Sequence, residues 1–324
     1  MKIIGRIPRP ATLEGIHLEF SSSLLVLHLL ALLALIPWLF SWVGFWALVV
    51  GTLVIGQGVT LTYHRLLTHR CFQVPLWFEH FLVTLSMFCL EGSPASWVAT
   101  HRLHHKFSDR QADAHSPAVS LLWGHLGWIL RRNSATQGPE IRQKYAKDVL
   151  ADPYYLALEN RVIRYGIYLL HCLAFFITGL TLGWVQGGTA MAALQMGCSL
   201  LLWGAIVRTV LVWHFTWTVN SVGHRLGYQN HDTGDSSRNS LILGYFTLGE
   251  GWHNNHHHDQ ASASNRYRWW EFDLTYGLIQ ALALVGIARG IVLPAHLRKL
   301  RAGAQDDRGL EQELPAANLS AEAH

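Results

Sequence analysis

The chain has 324 residues, of which 50% are hydrophobic, only 14% are charged and 20 are His, with a formal charge of +4. A soluble domain carries about a quarter charged residues, so a water-facing globule is excluded, and the mild charge without a long basic run speaks against nucleic-acid binding. Four widely spaced cysteines (Cys71, Cys89, Cys172, Cys198) contain no CxxC pair, which leaves neither a disulfide framework nor a Cys-ligated metal site.

A bilayer takes about 20 mostly apolar residues per helical span. Four segments qualify in chain order: 24–42, 46–63, 165–184 and 190–213. Turns at Val43–Phe45 and Val185–Thr189 pair them into two hairpins. The first span is not a cleaved leader, because no small-residue cleavage site follows it. Both turns lack charge, whereas the charged residues lie before the first span, between the second and third, and from the end of the fourth onward. The positive-inside rule therefore puts both termini and the long middle segment in the cytoplasm. Leu76–Leu90 is too short to span and carries Glu79 and His80, which suits an interfacial or protein-packed helix. Leu274–Val292 is read as a helix on the membrane face or packed on the domain, since a crossing there would export Arg298, Lys299 and Arg301. Residues 301–324 lack apolar periodicity and read as a disordered tail. The expected fold is all-α: a four-helix transmembrane bundle beneath a helical cytoplasmic cap (64–164 and 214–300), in one domain over 1–300.

The histidines are clustered. The strings are His64-Arg-Leu-Leu-Thr-His69, His101-Arg-Leu-His104-His105 and His253-Asn-Asn-His256-His257, with His224 a further candidate. Positions i, i+3 and i+4 share a helix face, so each HxxHH string is expected to aim three imidazoles at one point. His64 and His69 are five apart, a poorer helical pair that a helix end or break would bring together. Isolated histidines (His17, His28, His80, His171, His214, His231, His296, His324) read as structural, and His258 stays outside the ligand set.

Eight clustered imidazoles would crowd like charges without metal, and neutral imidazole suits iron, copper and zinc. A structural zinc site closes with four ligands, so the number implies two metals. Glu250, in Glu250-Gly-Trp-His253, is expected to orient an imidazole rather than to ligate.

The three boxes, their order and their placement around two hydrophobic hairpins resemble the integral-membrane fatty acyl desaturases, in particular the Δ9, stearoyl-CoA-type branch. Supporting strings are Asp113-Ala-His-Ser-Pro117, Gly124-His-Leu-Gly-Trp128, Asn220-Ser-Val-Gly-His224 and Gly249-Glu-Gly-Trp-His-Asn-Asn-His-His257. The resemblance implies two non-haem irons held by His64, His69, His101, His104, His105, His224, His253, His256 and His257, with Asn220 reaching a metal through water and Trp97 contacting substrate. It implies O2-dependent removal of two hydrogens from adjacent methylenes, a cis double bond at Δ9, and two electrons from a separate donor, ferredoxin or cytochrome b5-like with its reductase. The acyl-CoA members carry Trp-Ala-Arg-Asp before the second box. Here the string is Trp97-Val98-Ala99-Thr100, which leaves acyl-CoA, acyl-lipid and acyl-carrier-protein substrates open.

No haem-binding His-Pro-Gly-Gly segment or ferredoxin cysteine set is present in the sequence. Arg131, Arg132, Arg142, Lys144 and Lys147 form a basic stretch suited to an acidic donor or to anionic lipid headgroups. The rival readings are a di-iron membrane hydroxylase of fatty acyl, alkane or sterol substrates and, more remotely, a metal-ion transporter or sensor.

Overall fold

The computed structural model describes residues 13–300, so the expected tail at 301–324, with His324, lies outside the described residues. The elements that position the site are β1 (Leu13–Ile16), α1 (Leu18–Leu35), α2 (Trp42–Thr68), α3 (Leu76–Met87), α4 (Pro94–Phe107), β2 (Arg131–Asn133), α5 (Arg161–Gly187), α6 (Ala190–Val222), α7 (His253–His258) and α8 (Leu274–Leu284). Four of them, α1, α2, α5 and α6, are long and apolar enough to cross a membrane.

The segments expected from sequence are all present, but their ends move. The first turn lies at 36–41 rather than at Val43–Phe45. Ile36, held extended (φ −85°, ψ 113°) by the following Pro37, breaks the helix. Ser41 then starts α2 early, because its Oγ accepts a hydrogen bond from the Gly44 N–H at 2.9 Å. Val43–Phe45 thus form the first turn of α2.

The second hairpin turns on Gly188, whose left-handed φ of +60° closes α5, and on Thr189, whose Oγ1 accepts from the Ala192 N–H. Its two helices meet through small residues. Gly179 and Gly183 of α5 lie against Met196, Gly197, Ala192 and Ala193 of α6, the close approach that small residues permit in lipid.

An all-helical fold is corrected by one small feature. β1 pairs antiparallel with β2, Gly15 opposite Arg132 and Ile16 opposite Arg131. The pairing, continued by His17 N–H donating to the Leu130 carbonyl at 2.9 Å, satisfies backbone groups where the chain enters α1. The other two apolar stretches form helices too short to cross a membrane. α8 has only 11 residues, and α3 buries Val83 and Met87 while exposing Leu76, Trp77 and Phe81.

The core that fixes the site joins three of these helices to the segment carrying Ala146, Val149, Tyr155 and Leu158. Tyr63 and Leu67 of α2, Val83 and Met87 of α3, and Ala95, Val98 and Ala99 of α4 pack into one buried cluster. It holds the ends of α2 and α4 that carry the first and second boxes.

A Cβ at Gly179 would stand 2.5 Å from the Met196 carbonyl oxygen. Gly179→Leu is therefore expected to lower stability by about 1–3 kcal/mol. Thermal unfolding in detergent measures it, and an unchanged midpoint would contradict the tight α5–α6 contact.

Candidate metal centre

The last turns of α2 are wound wider than an α-helix. Over Gly58–Thr68 the backbone bonds run i to i+5, continued by His69 N–H to the His64 carbonyl at 3.2 Å. Five residues then make about one turn, so His64 and His69 come onto one face with ring centroids 4.8 Å apart. The spacing that disfavours an α-helical pair is the spacing this winding needs.

α4 is started by Ser93, whose Oγ accepts from the Ser96 N–H, and by Pro94 in its first turn. Its three histidines do not converge on one point. At about 100° per residue, His104 and His105 face different directions, whereas His101 and His105 lie one turn apart. α7 repeats the pattern: His253 and His257 share a face, and His256 points away from them.

Two groups result. The ligand atoms of His64, His69, His101, His105 and His256 all lie within 4.8 Å of one another, and so do those of His104, His224, His253 and His257. Inside the first, His256 Nε2 stands 3.0 Å from His64 Nε2 and 2.9 Å from His105 Nε2. Inside the second, His253 Nε2 stands 3.0 Å from His224 Nε2 and 3.1 Å from His257 Nε2. All nine residues nominated from sequence are therefore brought together.

Carboxylates hold four of the rings from behind. Nδ1 of His64 lies 2.6 Å from Glu250, that of His104 3.0 Å from Asp113, that of His224 3.1 Å from Asp109, and that of His257 2.6 Å from Asp235. This turns Nε2 of each ring toward the group and fixes its tautomer. Glu250 plays the orienting role expected of it. Asp109, Asp113 and Asp235 were missed, because nothing in their spacing links them to the boxes. Asp113-Ala-His115 is the one legible hint, and His115 packs against His104 with centroids 4.2 Å apart.

Each carboxylate is itself fixed. Asp235 accepts from Thr233 and Ser237 hydroxyls at 2.6 Å, and Asp109 accepts from the N–H and hydroxyl of Ser236. Glu250 receives Arg65, fully buried, whose Nη2 lies 2.7 Å from Oε1 while Nη1 reaches Asp273 at 3.0 Å.

Burial, then mutual repulsion, pushes His69, His101, His105, His253 and His256 well below the ordinary imidazole range. His257 is lowered by burial to about 4 although Asp235 opposes it. At His224 burial also disfavours charge, but Asp109 outweighs it and the net shift is upward. Burial works against an ionised Asp109 and Asp235, yet the histidine and hydroxyl partners hold both below the usual carboxylate range.

These donors fit metal. His69, His101, His105, His253, His256 and His257 are held as neutral imidazoles at neutral pH, the form that ligates. His69 Nε2 and His104 Nε2 are buried with no hydrogen-bond partner, a costly state that an ion at each group would relieve.

A cavity of about 340 Å³ opens beside the two groups. Phe20, Leu24, Val59, Trp213, Phe215 and Phe246 give it an apolar lining, and His64, His101 and His253 also border it. Trp97 and Asn220 also border it, and Trp97 stacks on His101 with centroids 4.8 Å apart. Charged residues gather at one part of the lining, where Arg164 pairs with Glu19 at 3.1 Å and Arg142 with Glu159 at 3.3 Å. Arg142 of the basic stretch is thus committed to the cavity.

The isolated histidines stay out of both groups. His80 pairs with Asp152, His28 with His214, and His171 with Arg208, while His231 stacks on His258.

The family profile for fatty acid desaturases matches residues 36–285. The chain belongs to the fatty acid desaturase family. It is 39% identical over 270 residues to an sn-1 stearoyl-lipid 9-desaturase of Synechocystis, covering 83% of this chain and 78% of that one. An sn-1 stearoyl-lipid 9-desaturase of Anabaena variabilis is also 39% identical, over 82% of this chain and 90% of its own. An acyl-CoA 5-desaturase of Anemone leveillei is 38% identical over 84% and 78%. Membership makes the chain an oxidoreductase of fatty acid metabolism.

Removing the Arg65 guanidinium leaves two buried carboxylates facing each other. Arg65→Met is expected to cost about 3–5 kcal/mol, read by thermal or denaturant unfolding in detergent. A loss below about 0.5 kcal/mol would contradict the clasp.

Proposed function

We propose that the protein is an O2-dependent fatty acyl desaturase that sets a cis double bond at position 9 of a long saturated chain, using two irons and two electrons from a separate donor protein. The observation that carries this reading is the juxtaposition of two imidazole groups with a largely apolar cavity in a desaturase-family chain. His64, His69, His101, His105 and His256 would hold one iron. His104, His224, His253 and His257 would hold the other, with Asn220 acting through water.

An unactivated methylene has no acidic hydrogen, so bound iron with O2 supplies the oxidising chemistry that no side chain can. The overall reaction removes two hydrogens from neighbouring carbons, and O2 leaves as two waters with two electrons and two protons. The chain's own residues do the rest. The apolar wall binds a featureless acyl chain and excludes water, and Trp97, stacked on His101, borders the path beside the first group. Glu250, Asp113, Asp109 and Asp235 keep four rings aimed.

The proposed carrier is a membrane glycerolipid. Among the described residues, both Arg side chains bordering the cavity, Arg142 and Arg164, are already neutralised by carboxylates, which suits a headgroup with little charge better than a multiply anionic nucleotide carrier. Exposed Ile16, Leu18 and Val162 adjoin this end and suit a lipid surface. Two of the relatives carry stearoyl-lipid in their names. The proposed topology is four spans in one domain over 1–300, with termini, imidazoles and donor docking on the cytoplasmic side.

Cells expressing the protein are expected to gain monoenoic acyl chains in their lipids, read by fatty acid analysis. His104→Ala, His105→Ala and His256→Ala each abolish them while the protein stays in the membrane. Hydroxylated chains instead of monoenes, or full activity in any of these variants, would contradict the reading.

A further inference from the structure

Glu91 occupies the turn between α3 and α4, between Leu90 (φ +51°) and Gly92 (φ +90°). It borders the apolar cavity, and its Oε1 is buried without a hydrogen-bond partner. Its hydrogen-bond neighbours are Thr216 of α6 and Trp97 of α4. The Thr216 hydroxyl already donates its single proton to the Val212 carbonyl at 3.1 Å. The Glu91 carboxyl competes with that carbonyl for the same proton.

No cation compensates this carboxyl among the described residues. The titratable groups near it are the Cys89 thiol of the same turn and the Tyr63 phenol of α2. Arg208 of α6 neighbours Cys89 and is bonded to His171 and the carbonyls of Phe88 and Gly204. Arg164 of α5 is paired with Glu19 of α1.

We propose that Glu91 is a specificity-determining residue of the acyl cavity that works as a neutral carboxylic acid, and that its ionisation closes the cavity to saturated acyl chains. A protonated carboxyl bonded to Thr216 and Trp97 is part of an apolar wall. Loss of its proton would set an anion with an unpartnered buried oxygen and no cation beside methylene groups, and an uncompensated ionised group is the costliest thing to keep in such a place. Burial raises this carboxyl to about 8, against which the Thr216 and Trp97 bonds pull only weakly. The group is therefore protonated at neutral pH and gives up its proton as pH rises past that value.

The proposal rests on the reading of the cavity as an acyl site, and its test separates the two. The full-length, iron-loaded protein in detergent is titrated with a stearoyl glycerolipid carrying a headgroup fluorophore, at pH 7 and pH 9. If only the protonated fraction binds, the apparent Kd rises with the loss of that fraction, about tenfold between these two values. Glu91→Gln, which keeps shape and removes the titration, is expected to bind equally at both, and Glu91→Met serves if the amide variant fails to fold. Wild-type binding that is flat with pH, or an equal alkaline loss in the variants, overturns the role of Glu91. Absence of binding at every pH overturns the acyl reading of the cavity and this proposal with it.

Discussion

Nine imidazoles stand so close that neighbouring ring nitrogens are about 3 Å apart, and any two that carry protons together repel strongly in so dry a place. The rest of the site follows from that constraint. Burial keeps most of the rings neutral, and four carboxylates placed behind them choose which nitrogen faces inward. Those carboxylates are buried in turn and need partners of their own, which Arg65, Ser236, Ser237 and Thr233 provide. The polar network around the imidazoles therefore extends two layers deep, and its outer layer draws on loops far apart in sequence. Glu271 illustrates the reach. Fully buried, it accepts from Tyr228, Asn230, Asn255 and the Tyr267 and Arg268 backbone N–H groups, pinning the loops that flank α7.

Placing the site beside an apolar cavity solves a recognition problem with few polar groups. A saturated chain offers nothing to hydrogen-bond, so only shape and the exclusion of water can hold it in register. The wall is drawn from the ends of α1, α2, α4 and α6, the same segments that carry or adjoin the histidines. The ends of α2 and α4 are held by the cluster around Tyr63, Val83 and Val98, and the wall residues Leu24 and Trp213 by a second cluster.

Much of this was legible before any coordinates. Length and hydropathy find the four long apolar helices, and the three strings with His224 name all nine imidazoles. Helix ends were misread because hydropathy does not register a break or a cap: Pro37 and Ser41 decide where α1 stops and α2 starts, and both sit inside an apolar run. The convergence of each HxxHH string on one point was also misread. Treating i, i+3 and i+4 as one face ignores the 100° between His104 and His105, which sends them to different groups. The wide winding of α2 has no signal beyond the five-residue spacing of His64 and His69. Asp109, Asp113 and Asp235 stayed hidden since their role depends on tertiary contact, and Glu91 because a lone carboxylate in a turn reads as solvated until the cavity beside it is seen.

The account depends on the nine imidazoles forming two metal sites rather than one. Iron content of the purified full-length protein, measured by elemental analysis after removal of loosely held metal, tests this most directly. Two irons per chain are predicted. One iron per chain, or readily exchanged metal at both groups, would contradict it.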